Sequence, residues 1–129
     1  MSHEFHCRVY YEDTDLAGIV YYANYLRFIE RARTEFVRSL GVDQTSLKEN
    51  ESIVFAVRRV EADYLLPARF DDQLRVLTRP VQVTGARIVL QQDVKRGKDT
   101  LFAATVTLVA LTDTGHPARL PANIRLILQ

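Results

Sequence analysis

The chain of 129 residues has one cysteine and no long run of apolar residues. Because Cys7 stands alone, no intrachain disulfide can form, and a reducing compartment is expected. No segment approaches the roughly 18 consecutive apolar residues that a membrane-spanning helix requires. The first residues, Met1–Glu4, lack the basic and apolar regions of a signal peptide. We therefore expect a cytoplasmic protein that does not insert into a membrane.

Several signatures of catalysis and binding are also missing. No GxxxxGK loop is present to hold nucleotide phosphates. No serine or cysteine has a histidine partner in the nearby sequence, which argues against a Ser–His or Cys–His hydrolase. His6 and Cys7 are neighbours in an alternating segment, so their side chains should lie on opposite faces of a strand. We therefore predict no metal site and no cofactor.

The net charge of the chain does not indicate a macromolecular partner. The 17 basic and 16 acidic side chains nearly cancel, so nothing favours nucleic acid or a membrane surface. Arginine outnumbers lysine fourteen to three, however, and arginine binds phosphate with two parallel hydrogen bonds. A phosphorylated small molecule is thus a permitted partner. The same arginines are equally consistent with ordinary surface and interface charges.

Hydrophobic periodicity predicts the first half of the fold. Residues 4–11 alternate and predict a half-buried strand. From about Tyr22 to Leu40 the period becomes helical, and Gly41 follows as a left-handed stop. Asp43 is placed to cap a short helix at about 44–49. The predicted apolar face of the long helix consists of Tyr22, Tyr25, Leu26, Ile29, Ala32, Phe36, Val37 and Leu40.

The second half reads as strands, at 53–64, 73–84, 86–96 and 100–112. Breaks in alternation predict irregularities at Arg58-Arg59 and Arg79-Pro80, and residues 96–99 read as a hairpin turn. Residues 123–128 are predicted to form a short strand or helix. One strand, one long helix and about four meandering strands predict a single α+β domain over 1–129. One helix cannot cover both faces of such a sheet, so either the sheet wraps around it or a second copy covers the rest.

The segment Tyr11–Tyr25 contains the residues best suited to chemistry. An acidic turn, Glu12-Asp13-Thr14-Asp15, leads directly into the predicted long helix. A carboxylate beside the free N–H groups of a helix start can attack an activated carbonyl and stabilise the oxyanion that forms. The alternative is that Asp15 only hydrogen-bonds the backbone of the turn, as aspartate often does.

This segment is similar to that of the hotdog-fold acyl-CoA thioesterases. It particularly resembles the 4-hydroxybenzoyl-CoA thioesterase type and its Tol–Pal-associated branch. Glu30–Glu35, Pro67–Asp72 and Arg119–Pro121 match that branch too, and the likeness runs through nearly the whole chain. The resemblance implies a hotdog fold, a curved antiparallel sheet wrapped around one long central helix. It also implies dimers that pair edge to edge, associate further into tetramers and carry their active sites at the dimer interface.

The resemblance also implies a reaction, hydrolysis of a small acyl-CoA with a short-chain or aromatic acyl group. Asp15 would act as nucleophile or general base. The backbone N–H of Tyr22, at the first position of the helix, would polarise the thioester carbonyl. The Tol–Pal-associated branch commonly has histidine where this chain has Tyr22, so only the backbone role carries over. Asp13 is interpreted as structural.

Gly18, Val20, Tyr21 and Tyr25 are the predicted substrate-binding residues beside these. The turn at 84–87 matches one that approaches the nucleotide end of coenzyme A in the family, so the resemblance implies Arg87 as the contact for the coenzyme A phosphates, with Arg58, Arg59 and Arg69 as further candidates. Each tyrosine is equally consistent with a core position. Coenzyme A enters as part of the substrate rather than as a cofactor.

Two other functions remain open. The chain could bind acyl-CoA without cleaving it, as a scaffold. It could also hydrate acyl thioesters, although such enzymes generally use a histidine, and none lies near the helix start.

Overall fold

A computed structural model describes all residues, 1–129, as one α+β domain. In chain order its elements are β1 (His3–Arg8), α1 (Asn24–Ser39), α2 (Gln44–Glu51), β2 (Ile53–Tyr64), β3 (Gln73–Val83), β4 (Arg87–Arg96), β5 (Asp99–Thr112), β6 (Pro117–Ala118) and α3 (Ala122–Leu128). No helix is both long enough and apolar enough to cross a membrane.

The sheet is antiparallel throughout, and its strand order is β1-β3-β4-β5-β2, with the short β6 added beside β5. The predicted meander was therefore only partly right. Strands β3, β4 and β5 follow one another as hairpins, including the predicted turn at 96–99. Strand β2, however, pairs with β5 at the far edge and not with β3. This long-range pairing leaves no local signal in the sequence.

Helix α1 packs across the sheet and provides the centre of the core. Phe28, Ile29, Ala32 and Phe36 are almost completely buried, with the i, i+3, i+4 spacing of one helix face. They belong to one cluster with Leu74, Val76, Leu90, Val94, Phe102 and Val106 of the sheet. The sequence pattern missed Phe28, and it wrongly placed Tyr22 and Leu26 on the buried face, since both are exposed.

Two predicted boundaries were also wrong. Strand β1 ends at Arg8 rather than at residue 11, because a 3-10 turn at Tyr11–Asp13 takes over. Helix α1 begins at Asn24, so Tyr22 precedes the helix instead of occupying its first position. The predicted stop was right, because Gly41 follows the helix with φ +82°. Asp43 caps α2 as expected, with its side chain accepting the Ser46 N–H at 3.1 Å.

The irregularity predicted at Arg58-Arg59 is a β-bulge in β2. The pairing with β5 shifts by one residue between Val57 and Arg59. Residues before the bulge therefore change face, and Val57 lies on the same side of the sheet as Tyr64, the side that α1 covers. The second predicted irregularity lies in β3 between Pro80 and Gln82.

The single cysteine provides a test of this packing. Burial raises the pKa of the Cys7 thiol to about 11. The reactive thiolate is favoured only as the pH approaches that value, so at pH 8 about one molecule in a thousand carries it. We expect iodoacetamide to alkylate the native protein about 100-fold more slowly than the guanidinium-unfolded protein at pH 8, as measured by mass spectrometry. Equal rates in the two states would contradict the burial of Cys7.

Candidate active site

The acidic turn is tied to the start of α1 through Asp13. The Asp13 side chain is only 5% exposed. Its Oδ2 accepts the Tyr10 N–H at 2.8 Å, and its Oδ1 accepts the side-chain amide of Asn24 at 2.9 Å. Its backbone carbonyl accepts the Tyr21 N–H at 2.8 Å. Both ends of the turn are thus fixed by one residue, which agrees with the structural interpretation of Asp13.

The following residues fold into a tight hairpin that carries Asp15. Thr14 and Val20 form an isolated bridge, and the Asp15 N–H donates to the Ile19 carbonyl at 2.9 Å. Gly18 has φ +80°, a conformation that residues with a Cβ rarely adopt. This turn leaves the Asp15 side chain exposed. Its Oδ1 accepts the Ala17 N–H at 2.9 Å, and no protein group hydrogen-bonds Oδ2.

Asp15 therefore hydrogen-bonds its own turn, as the structural alternative expected, and it also borders a cleft. The cleft has a volume of about 450 Å³ and lies at the N-terminal end of α1. Its walls are Asp15, Ile19, Val20, Tyr21, Tyr22, Tyr25, Tyr64, Leu65, Leu66 and Pro67. Asp15 is the only carboxylate among them, and no lysine, arginine or histidine lines the cleft. A single carboxylate thus faces a largely apolar and aromatic space.

Backbone N–H groups at the entry to α1 are available beside this cleft. The Tyr21 N–H donates to Asp13 and the Asn24 N–H donates to the Tyr21 carbonyl, whereas those of Tyr22 and Ala23 have no acceptor in the protein. They stand at the positive end of the α1 dipole. The peptide that joins Tyr22 to Ala23 also carries the Tyr22 carbonyl, which accepts a hydrogen bond from the Tyr64 hydroxyl at 2.9 Å. Tyr64 thereby fixes the peptide that carries the Ala23 N–H.

The tyrosines act as walls and neutral hydrogen-bonding groups. Tyr25 stacks on Phe102 with ring centroids 4.9 Å apart, and its hydroxyl accepts the Ala68 N–H at 3.0 Å. Burial raises the pKa of Tyr25 and of Tyr64. The neighbouring Tyr22 hydroxyl raises the pKa of Tyr21, and the Asp15 charge adds to that effect. All three phenols stay protonated at neutral pH, so they cannot serve as general bases.

The structure gathers most of the predicted site residues. Asp15, Val20, Tyr21, Tyr22 and Tyr25 line one cleft. Gly18 shapes the turn but is not part of the cleft wall. Sequence reasoning missed Ile19 and the wall at 65–67, which sits in the loop after β2. The only sequence signal for that wall was Pro67 between two predicted strands.

Arg87 lies elsewhere in the chain. It pairs with Val109 on β5, whereas Phe102, which packs on Tyr25, lies seven residues away along the same strand. At about 3.3 Å per residue, this separation is about 23 Å. Arg87 is therefore at the opposite end of the sheet from the cleft of its own chain.

Comparison with known proteins identifies the family of this chain. The profile of the Thioesterase superfamily matches residues 17–103, about two-thirds of the chain. The chain belongs to this family. The acyl-CoA thioesterase YbgC of Haemophilus influenzae is 43% identical over 123 residues, 94% of this chain and 90% of that protein. The acyl-CoA thioester hydrolase YbgC of Escherichia coli O157:H7 is 40% identical over 119 residues, 91% of this chain and 88% of that protein.

Solved structures confirm the predicted hotdog fold. A probable thioesterase from Bartonella henselae is 40% identical and superposes with a TM-score of 0.90, covering 94% of this chain and 100% of its own. A 4-hydroxybenzoyl-CoA thioesterase variant crystallised with 4-hydroxybenzoyl-CoA superposes with a TM-score of 0.93 over 99% of both chains, at 21% identity. At that identity the likeness establishes the fold alone.

The two acids of the turn should respond differently to substitution. In Asp13→Ala, the buried Asn24 amide and the Tyr10 N–H lose their acceptor, so we expect the free energy of unfolding to fall by about 2–3 kcal/mol. Asp15→Asn keeps an oxygen that accepts the Ala17 N–H, so it should change the free energy of unfolding by less than about 0.5 kcal/mol. Urea denaturation of both variants measures the difference. Similar losses in the two would contradict the division of roles.

Proposed function

We propose that this member of the thioesterase family hydrolyses the thioester of a small, short-chain or aromatic acyl-CoA to the free acid and coenzyme A. One observation carries the proposal: Asp15, whose Oδ2 is free, and Tyr22, whose N–H is unpaired, border the same apolar cleft, and Ala23, with a second unpaired N–H, follows directly. The names of the relatives that cover most of the chain support it.

In the proposed reaction, the backbone N–H groups and Asp15 act on opposite sides of the thioester carbonyl. The Tyr22 and Ala23 N–H groups hold the carbonyl oxygen and stabilise its negative charge in the tetrahedral intermediate. Asp15 acts from the other side, by one of two routes. As nucleophile, its oxygen bonds to the carbonyl carbon, the thiolate of coenzyme A leaves, and water hydrolyses the resulting mixed anhydride. As general base, it takes a proton from a water that attacks the same carbon; the tetrahedral intermediate then collapses, its C–S bond breaks, and the coenzyme A thiolate leaves and takes up that proton.

The surroundings of the cleft support this chemistry without a further cofactor. Apolar walls lower the local dielectric constant and so strengthen the interaction between the N–H groups and the oxyanion. Tyr64 holds the Tyr22 carbonyl and so keeps the adjoining peptide in place. The aromatic rings suit a flat or short acyl group, and coenzyme A arrives as part of the substrate. We retain the cytoplasm as the proposed compartment, because the only thiol is unpaired.

We further propose that the working unit is a dimer joined through the free edge of β2. This strand carries Arg58 and Arg59 on one side of Val60, and Glu61 and Asp63 on the other. In antiparallel pairing about a two-fold axis at Val60, Arg59 of each copy faces Glu61 of the other. An axis at Arg59 or at Glu61 would set like charges face to face. Val57, Val60 and Tyr64 also leave substantial apolar surface exposed at this edge.

A larger assembly follows from the remaining exposed surfaces. The outward face of β5, with Ala103, Thr105, Thr107 and Val109, is only half-buried within one chain. Pairing of two dimers through this side of the sheet would give the tetramer expected from the resemblance. Arg87 could then reach coenzyme A phosphates only in the cleft of a neighbouring copy, and we propose that role for it.

Substitution of Asp15 tests the reaction directly. Because Asn can neither form the anhydride nor accept a proton from water, Asp15→Asn should lower kcat for acetyl- or benzoyl-CoA by at least about 100-fold. Release of the coenzyme A thiol is the measurement. Glu12→Gln removes an equal charge from the same turn, outside the cleft, and should leave turnover unchanged. Wild-type turnover in Asp15→Asn would exclude Asp15 from the mechanism.

The same assay separates the alternative functions. Tight binding of acyl-CoA to the wild-type protein, with no thiol released for any acyl length, would favour a non-catalytic scaffold. Hydration of an enoyl-CoA without cleavage would favour a hydratase, although no histidine lines the cleft.

Exchange of charges on β2 tests the dimer. In Arg59→Glu, two pairs of acids would face each other across the proposed interface. We therefore expect the dissociation constant of the dimer to be at least about 10-fold higher than in the wild type. Adding Glu61→Arg reverses both charges and should restore association. Sedimentation velocity over a range of concentrations measures the dissociation constants. If the single and double variants dissociate alike, β2 is not the interface.

A further inference from the structure

A second cleft, on the same side of the sheet, contains an arginine without an acidic partner. The cleft has a volume of about 250 Å³ and lies between α1, α2 and β2, with Arg33, Glu30, Phe55 and Val57 among its walls. The Arg33 Nη1 donates to the Gln92 Oε1 at 3.1 Å. This is the only hydrogen bond that the Arg33 guanidinium makes, and no carboxylate oxygen lies within 4 Å of it. Arg33 thus reaches the cleft with most of its donors unused.

Gln92, a buried residue of the sheet, fixes the position of the Arg33 guanidinium. Gln92 is completely buried, and its side-chain amide donates to the Ile29 carbonyl at 3.0 Å and to the Thr78 hydroxyl at 2.9 Å. Its orientation is therefore set by the helix and the sheet together. The one oxygen it offers holds Arg33 in place. A cation held by a rigid neutral residue is pre-organised for an acceptor that the chain itself does not supply.

Burial without a partner is costly for Arg33. Desolvation lowers the pKa of its guanidinium, while the charge of Glu30 opposes that effect. Glu30 is exposed, so water screens most of its charge. A half-buried cation in this setting gains most from an anion that enters the cleft and binds it with two hydrogen bonds.

The two-fold axis at Val60 brings this second cleft to the active site of the other copy. Tyr64 stands at the end of β2 that borders the Asp15 cleft, and Val57 borders the Arg33 cleft. In antiparallel pairing about Val60, with the bulge adding one residue to β2, Tyr64 of one copy is opposite Phe55 of the other, which also borders the Arg33 cleft. Residues of α1 line both clefts, so both lie on the α1 side of the joined sheet. Each Asp15 cleft then continues into the partner's Arg33 cleft.

We propose that the partner's Arg33 forms the far end of the acyl site and selects acyl-CoA substrates whose acyl group ends in a carboxylate. This inference rests on the proposed thioesterase function and dimer. The partner's β2 does not neutralise Arg33 itself, because alternation beyond the bulge turns Val60, Ala62 and Tyr64 toward the α1 side, and Glu61 and Asp63 away from it.

The test compares glutaryl-CoA with hexanoyl-CoA, an apolar substrate of similar length. For the wild type we expect the higher kcat/KM with glutaryl-CoA. Arg33→Gln should lower that preference by about 10- to 100-fold, the loss of one charged hydrogen-bonded pair, mainly through KM. Arg33→Lys should restore part of it, and Glu30→Gln should preserve or increase it. Thermal melting identifies any variant that fails to fold.

Mixing two impaired parents shows which copy supplies the arginine. Asp15→Asn and Arg33→Gln proteins are unfolded together, refolded and assayed with glutaryl-CoA at a concentration well below the KM of either parent. If Arg33 acts in the partner's site, each mixed dimer has one intact site, and activity should rise to about a quarter of the wild-type value. If Arg33 acts within its own chain, activity stays at the mean of the two parents, and the inference is overturned.

Other outcomes separate this inference from the proposed function. Loss of activity in Asp15→Asn, together with a wild type that shows no preference for glutaryl-CoA, would overturn the role of Arg33 and leave the thioesterase intact. An equal fall in kcat for both substrates in Arg33→Gln, with a shifted acid limb of the pH–rate profile, would overturn it as well. Arg33 would then act on the Asp15 carboxylate rather than on the acyl group.

Discussion

The buried contact between Asp13 and Asn24 is the constraint on which the rest of the site depends. It joins the acidic turn to the first residue of the long helix by a hydrogen bond of 2.9 Å, and the backbone bond from Tyr21 to Asp13 repeats the connection. Both partners are nearly inaccessible to water, and an unsatisfied group there would cost about 1–3 kcal/mol. The turn is therefore held against the helix, and the distance between Asp15 and the free N–H groups is fixed before any substrate binds.

This contact also explains why two acids so close in sequence serve different purposes. Asp13 receives hydrogen bonds at both oxygens and is enclosed, so it is fully used by the fold. Asp15 lies beyond the next bridge of the hairpin, where only one oxygen is engaged and the side chain is exposed. The reaction proposed for Asp15 requires a carboxylate with a free oxygen. Because Asp13 alone holds the turn against the helix, that oxygen of Asp15 is left without a partner in the protein.

The sequence predicted best what local physics determines. The left-handed stop at Gly41, the cap at Asp43 and the bulge near Arg58 each depend on a few neighbouring residues, and all three are present. The pairing of β2 with β5 depends on residues about fifty positions apart, so periodicity could not reveal it. The helix start was misplaced because Tyr22 continues the apolar spacing of α1, although its ring lies in the cleft rather than in the core.

The same distinction explains the outcome for the candidate site. Asp15 and its aromatic neighbours are adjacent in sequence, so a motif could find them. Leu65, Leu66 and Pro67 reach the cleft only because the hairpin at 14–20 docks on the following loop, with the Val20 N–H donating to the Ala68 carbonyl at 2.8 Å. Arg87 was assigned by analogy of turns, but the direction of its strand carries it to the other end of the sheet. Such positions follow from topology, which no short pattern contains.

The bulge in β2 shows how one local irregularity can have a consequence for the whole molecule. In a regular strand, Val57 and Tyr64 would point to opposite faces, since they are an odd number of residues apart. The inserted residue turns Val57 to the side of the long helix, where it borders the cleft of Arg33. The free edge of β2 thereby presents Val57, beside the Arg33 cleft, and Tyr64, beside the Asp15 cleft, on the same face. A regular strand would turn Val57 away from the long helix and out of the wall of the Arg33 cleft, through which the proposed dimer extends its acyl site.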